Sequence, residues 1–101
     1  MAGFMGMPGT VSITNQTDAA ILNSGSPVRV FSVHAISDGT ATSVILYNGT
    51  STGGTKYIQV DGVVSKGATL DFANGVLFPN GCFADVDSHT VALTVACQQE
   101  V

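Results

Sequence analysis

The chain has 101 residues, 45% of them hydrophobic and only 10% charged, with a formal net charge of -4. That length fits one domain with a core of its own. Three scattered cations, Arg29, Lys56 and Lys66, cannot displace the counterions of a phosphate backbone, which sets nucleic-acid binding aside.

Residues 1–9, MAGFMGMPG, stand apart from everything after them. Three Gly and one Pro deny them a regular element, yet Met1, Phe4, Met5 and Met7 are too apolar for a solvated tail. Ordering the segment costs about 1–2 kcal/mol per residue, and burying its large side chains returns about 1.5–3 kcal/mol each. The balance closes only with a neighbour's help, so residues 1–9 are expected to be an arm that binds a partner subunit through Met1, Phe4, Met5 and Met7. The arm carries no Lys or Arg and no signal-length apolar run, and no later stretch reaches the ~20 residues of a membrane span, so no export and no membrane partner are expected.

Residues 10–101 read as a single β domain. Thr10 to Thr14 alternates apolar and polar residues and predicts a first strand, and Asp18 to Asn23 a short second one. Asn15-Gln16-Thr17 and Asn48-Gly49-Thr50 match the glycosylation sequon but are read as turns in an unexported chain. Val28 to Ser37 is the longest β-like run. Regular alternation puts Arg29, Phe31, Val33 and Ala35 on one face and Val30, Ser32, His34 and Ile36 on the other. His34 is read as a hydrogen-bonded structural histidine. Asp38-Gly39 leads into the run Thr42 to Asn48, with Thr42 to Tyr47 expected at a charge-poor sheet edge, and residues 49–55 are expected to form a hairpin tip. Lys56 to Val60 follows, then Ala68 to Phe72.

Asn74-Gly75 and Asn80-Gly81 are turn signals set among Phe72, Phe78 and Phe83, the expected core or interface anchors. Thr90 to Cys97 predicts a half-buried antiparallel strand with Val91, Leu93, Val95 and Cys97 inward, followed by a tail from Gln98 that frays unless a neighbour holds it. If the last two strands form a hairpin, Cys82 and Cys97 share a face roughly diagonal to each other, where a bridge is the alternative, and they are read as reduced core thiols. Five turn pairs between β-prone runs predict an all-β, antiparallel sandwich of about seven or eight strands with an extended N-terminal arm. Its connectivity, jelly roll or immunoglobulin-like Greek key, stays open at this point.

Chemistry is sparse. Asp85, Asp87 and His89 fall at alternate positions and could face one metal, but no second cluster completes a shell, and they are read as a polar turn. No Gly-x-Ser-x-Gly, phosphate loop or dinucleotide fingerprint is present, and no base stands near either cysteine. The expectation is no enzyme, no cofactor and no metal. With no Trp and only Tyr47 and Tyr57 to stack on a sugar, a carbohydrate-binding or adhesion module is an alternative with little aromatic support.

The pattern Leu70-Asp71-Phe72, then residues 75–81 reading GVLFPNG, then Phe83, Asp85 and Val86 and a final alternating strand, resembles small structural proteins of tailed bacteriophages, notably marine and cyanobacterial phages. The resemblance spans about residues 28 to 97. It implies a virion protein assembled in the host cytoplasm: a capsid decoration (cement) protein that trimerises on the head surface and binds the major capsid protein. A tail, collar or fibre component is the alternative it also implies.

Overall fold

The computed structural model describes residues 9–13, 18–22, 24–38, 40, 42–61, 67–87 and 89–100. Met1, Phe4, Met5 and Met7, the expected partner-binding residues, lie outside them. The described residues form eight strands: β1 (Gly9–Ile13), β2 (Ala19–Ile21), β3 (Val28–Ser37), β4 (Ser43–Asn48), β5 (Thr55–Asp61), β6 (Gly67–Phe78), β7 (Cys82–Val86) and β8 (Thr90–Gln99). Gly9, read as the end of the arm, already belongs to the sheet, opposite Cys97.

The strands make two four-stranded antiparallel sheets, ordered β1-β8-β3-β6 and β2-β7-β4-β5. This is a jelly roll: every connection crosses between the sheets except the β4–β5 hairpin at Gly49 to Gly54. The prediction of seven or eight strands in a sandwich holds, and the crossings decide its connectivity. The inner faces meet in a core of Val28, Val30, Val33 and Ala35 from β3, Leu93, Val95 and Cys97 from β8, Val44 and Leu46 from β4, and Cys82, Ala84 and Val86 from β7, closed by Ile21, Ile58, Val60 and Phe78. Buried and half-buried residues alternate along β7 and β8, as a two-layer sandwich demands.

Two irregularities correct the expected faces. Val30 pairs with Val76 and Ser32 with Asp71, so four residues of β6, from 72 to 75, stand against Phe31 alone. Asn74-Gly75 therefore does not reverse the chain. It is the crest of a bulge inside a twelve-residue strand, with Gly75 at φ +76° packed on Arg29 and Phe31. The second correction follows from the same bulge. The extra residue slips the alternation of β3 by one, so Val30 joins Val33 and Ala35 inside while Arg29, Ser32, His34 and Ile36 face out. His34 accordingly makes its hydrogen bond on the outer face, 2.5 Å from Thr69 Oγ1.

Three further expectations change. Thr42 to Asn48 is no edge, because β4 lies between β7 and β5. Val91, expected inward, is exposed at a second register shift where Ile36 pairs with Ala92 and Ser37 with Thr90. The stretch from Gln98 is held within the chain: β8 runs to Gln99 opposite Val28, and the Glu100 amide donates to Pro27 O at 2.9 Å. The Glu100 carboxylate also accepts from Arg29 Nε at 3.4 Å.

Candidate interaction surfaces

Among the described residues, four strands, β1, β6, β2 and β5, each have a strand neighbour on one side only. A free edge offers a row of backbone donors and acceptors to any extended chain unless shortness or charge discourages pairing. β2 has only three residues. β5 is dressed by a polar chain in which Lys56 Nζ donates to Gln59 Oε1 at 3.3 Å and Gln59 Nε2 to Asp61 Oδ1 at 3.2 Å. β1 has five residues. β6 has twelve, with Asp71 its one charge. It is the longest edge among the described residues, interrupted by the bulge at residues 72–75.

Apolar surface gathers along the same edge. Leu70 is 39% and Leu77 38% exposed on β6, and Tyr57 of β5, 42% exposed, stacks on Phe78 with ring centroids 5.1 Å apart. Leu70, opposite buried Val33, lies on the inward side of β6 with the half-buried Phe72 and Val76, where the sandwich opens between β5 and β6. Leu77, opposite Arg29, lies on the outward side. On the outer face of the other sheet, Tyr47 stands opposite Phe83, and both are half-buried. Of the three expected aromatic anchors, Phe78 is fully buried, Phe72 flanks the core and Phe83 lies on this outer face.

The residues weighed as metal ligands are drawn apart. Asp87 Oδ2 accepts from the Ser43 amide at 2.9 Å, and Oδ1 accepts from the Thr42 hydroxyl and from the His89 amide at 2.8 Å. The carboxylate thus ties the start of β4 to the β7–β8 turn, and Thr90 is buried beneath it. His89 turns to Asp38, with Nδ1 3.3 Å from Oδ2. Asp85 lies near Asp18, whose own carboxylate accepts from the Val86 amide at 2.9 Å. Among the described residues no three His, Cys, Asp or Glu side chains are grouped to hold a metal ion, and no pocket forms.

The two aspartates respond to acid with opposite signs. Partial burial pushes the Asp87 carboxyl up, but its hydrogen bonds, led by Thr42 and Ser43, more than offset this and hold it below the ordinary carboxylate value. A lowered folded value stabilises above the unfolded pKa of about 3.9 and is lost as pH falls through the folded value. Asp87→Ala is therefore expected to cost about 1–3 kcal/mol near neutral pH, and progressively less as pH falls through the folded value, in denaturant titrations over an acid pH series. Asp85 is raised, by burial first and then by the Asp18 charge. Its ionised form opposes folding above the folded value, so Asp85→Asn should raise the melting temperature at about pH 7 and leave it unchanged at about pH 3.

Cys82 and Cys97 do not share a hairpin face, because β7 and β8 lie in different sheets and the two thiols point into the core from opposite sides. Both are free and buried. Burial, with Cys97 close by, pushes Cys82 up to about 12, and burial pushes Cys97 up to about 11, so both stay protonated and poorly nucleophilic at neutral pH.

No family model matches the chain, and no curated protein matches it. Among solved structures, it is similar to a chain from the work titled "Bacillus endospore appendages form a novel family of disulfide-linked pili". The identity is 12%, the TM-score 0.51, and the match covers 96% of this chain and 90% of that one. At that identity the likeness is one of fold, and it extends over nearly the whole jelly roll. The β6 edge was invisible in the sequence because Asn-Gly signals a turn and a bulge equally well. The length of the apolar run on either side, Gly67 to Phe78, was the available sign of a continuous strand.

Proposed function

We propose that this protein is a structural subunit that works by assembly, and within that class a virion decoration protein that packs against copies of itself and against the major capsid protein on a phage head. One observation carries the assembly reading: the long, nearly uncharged β6 edge flanked by exposed Leu70, Leu77 and Tyr57. Among the described residues no strand covers this edge, and outside its bulge at residues 72–75 it offers unpaired backbone to a neighbour. The scarcity of charge across the chain supports the same reading, since little repels a second copy. The virion setting and the trimer rest on the resemblance of residues 28 to 97 to tailed-phage structural proteins. No catalytic step belongs to this reading.

A second reading is a filament subunit, favoured by the jelly-roll likeness to the endospore pilus chain. Both readings require self-association and differ in its geometry, closed on a shell or open along a fibre. Sedimentation of the purified protein over a range of concentrations, followed by electron microscopy alone and with phage heads, separates them. Density over the icosahedral faces supports decoration, density at the tail vertex a tail or collar role, and free fibres the filament. A strictly monomeric species that binds no head overturns both.

A further inference from the structure

The sequence holds three Asn-Gly pairs, at 48–49, 74–75 and 80–81, and the fold treats them differently. An asparagine followed by glycine has its side-chain amide open to attack by the next backbone nitrogen, because glycine has no Cβ to obstruct ring closure. Whether the attack occurs depends on how firmly that nitrogen and that side chain are held.

Two of the pairs are held. Asn48 Oδ1 accepts from the Asn80 amide at 2.9 Å, and the Gly49 amide donates to Gly81 O at 2.9 Å. The Gly81 amide donates to Phe78 O at 3.3 Å, and Gly81 is buried. In both pairs the attacking nitrogen is already tied to a carbonyl. The third pair is placed otherwise. Asn74 is exposed, and residues 72–75 of β6 have no register partner in β3, so no ladder pairing holds the Gly75 amide. Arg29 Nη1 donates to Asn74 O at 3.3 Å, and that oxygen belongs to the same peptide group as the Gly75 nitrogen. The stem of Arg29 packs on Gly75, where a Cβ would lie 2.5 Å from its Cγ, and its Nε is 3.4 Å from Glu100 Oε1. Together these contacts keep the guanidinium over this one peptide.

We infer that Asn74 is a site of spontaneous deamidation, with the Gly75 nitrogen as nucleophile, Arg29 as the group that promotes the attack and water as the co-reactant. The nucleophile is the amide nitrogen after loss of its proton. The negative charge then spreads onto Asn74 O, where a permanently charged guanidinium hydrogen-bonded to that oxygen stabilises it. A bond forms from Gly75 N to Asn74 Cγ, the Cγ–Nδ2 bond breaks, and ammonia leaves with the proton lost by Gly75. Water opens the resulting five-membered imide at either carbonyl, leaving aspartate or isoaspartate at position 74. Either product adds a negative charge to β6, and isoaspartate also lengthens the main chain by one carbon at the crest of the bulge. None of this depends on assembly.

The test is a time course of the full-length protein in mildly alkaline buffer, run folded and again unfolded in urea. After digestion, mass spectrometry follows each Asn-Gly peptide, and electron-transfer fragmentation tells isoaspartate from aspartate. Unfolded, the three pairs share one local chemistry and should react at similar rates. Folded, Asn74 is expected to keep or exceed its unfolded rate, while Asn48 and Asn80 slow by about tenfold or more, because reaction there waits on local opening. Arg29→Gln is expected to slow Asn74 about two- to tenfold in the folded protein and to leave the unfolded rate unchanged. If Asn74 slows on folding as much as the other two, the bulge protects it and the inference is overturned, a comparison that needs no variant. An unchanged or faster folded rate at Asn74 in Arg29→Gln removes the guanidinium from the reaction and overturns the inference as stated.

Discussion

Phe78→Ala is expected to destabilise the fold by about 3–5 kcal/mol, out of a total that for a domain of this size is about 5–15 kcal/mol. Phe78 is the bulkiest of the fully buried side chains. It ends β6 opposite Val28, stacks on Tyr57, and accepts the Gly81 amide with its carbonyl at 3.3 Å. One side chain thus fills the corner where the edge of one sheet crosses the edge of the other. No alternative side chain is placed to occupy the void, because Tyr57 lies on its outer side and is held in a strand. The measurement is equilibrium unfolding in urea, with a lower midpoint at unchanged slope. Phe78→Leu should recover more than half of the loss, since it restores most of the volume. A cycle of Tyr57→Leu and Phe78→Leu should give a coupling of about 0.5–1.5 kcal/mol for the ring pair. A loss under about 1 kcal/mol for the alanine variant would mean that this corner is not packed as described.

Phe78 also shows what could be read before the fold was known. Its place between an apolar run and Pro79-Asn80-Gly81 marks it as an inward residue at a strand end, and so it is. Local pattern was sufficient for the strands that obey it, such as β7 and β8, where alternation and burial coincide over most of the length. It failed at Phe31, because a bulge is a property of a pair of strands: residues 72–75 of β6 shift the face of β3 from forty residues away. It failed in the same way for the cysteines. A turn pair such as Asn80-Gly81 fixes where the chain bends, and whether the next strand rejoins the same sheet or crosses to the other depends on packing elsewhere. The β6 edge was not legible in the sequence, because which strands end a sheet is decided by the pairing of all the strands together.

Gly81→Ala is expected to cost about 3 kcal/mol or more, a fall in melting temperature of roughly 12–24 °C for a domain of this size. Three loops meet at this glycine: Gly25 from the β2–β3 connection, Gly49 from the β4–β5 hairpin and Gly81 from the β6–β7 connection. Gly81 sits at φ +99°, where an L side chain is strained, and a Cβ there would lie 2.7 Å from Gly25 N and 3.0 Å from Gly25 Cα. Those are backbone atoms, so no rotamer change relieves the contact. Moving Gly81 away from Gly25 instead would disturb the hydrogen bond that Gly49 N donates to Gly81 O at 2.9 Å. Strain and displacement therefore add at one buried position. Gly53→Ala in the exposed hairpin tip is the control: its Cβ would meet only Ser51 Oγ at 3.3 Å, and the change should stay within about 0.5 kcal/mol. If the two variants melt together, the three loops are not in contact. If Gly81→Ala alone collapses, the end of the jelly roll at Gly25, Gly49 and Gly81 is a fixed platform on which the three loops depend.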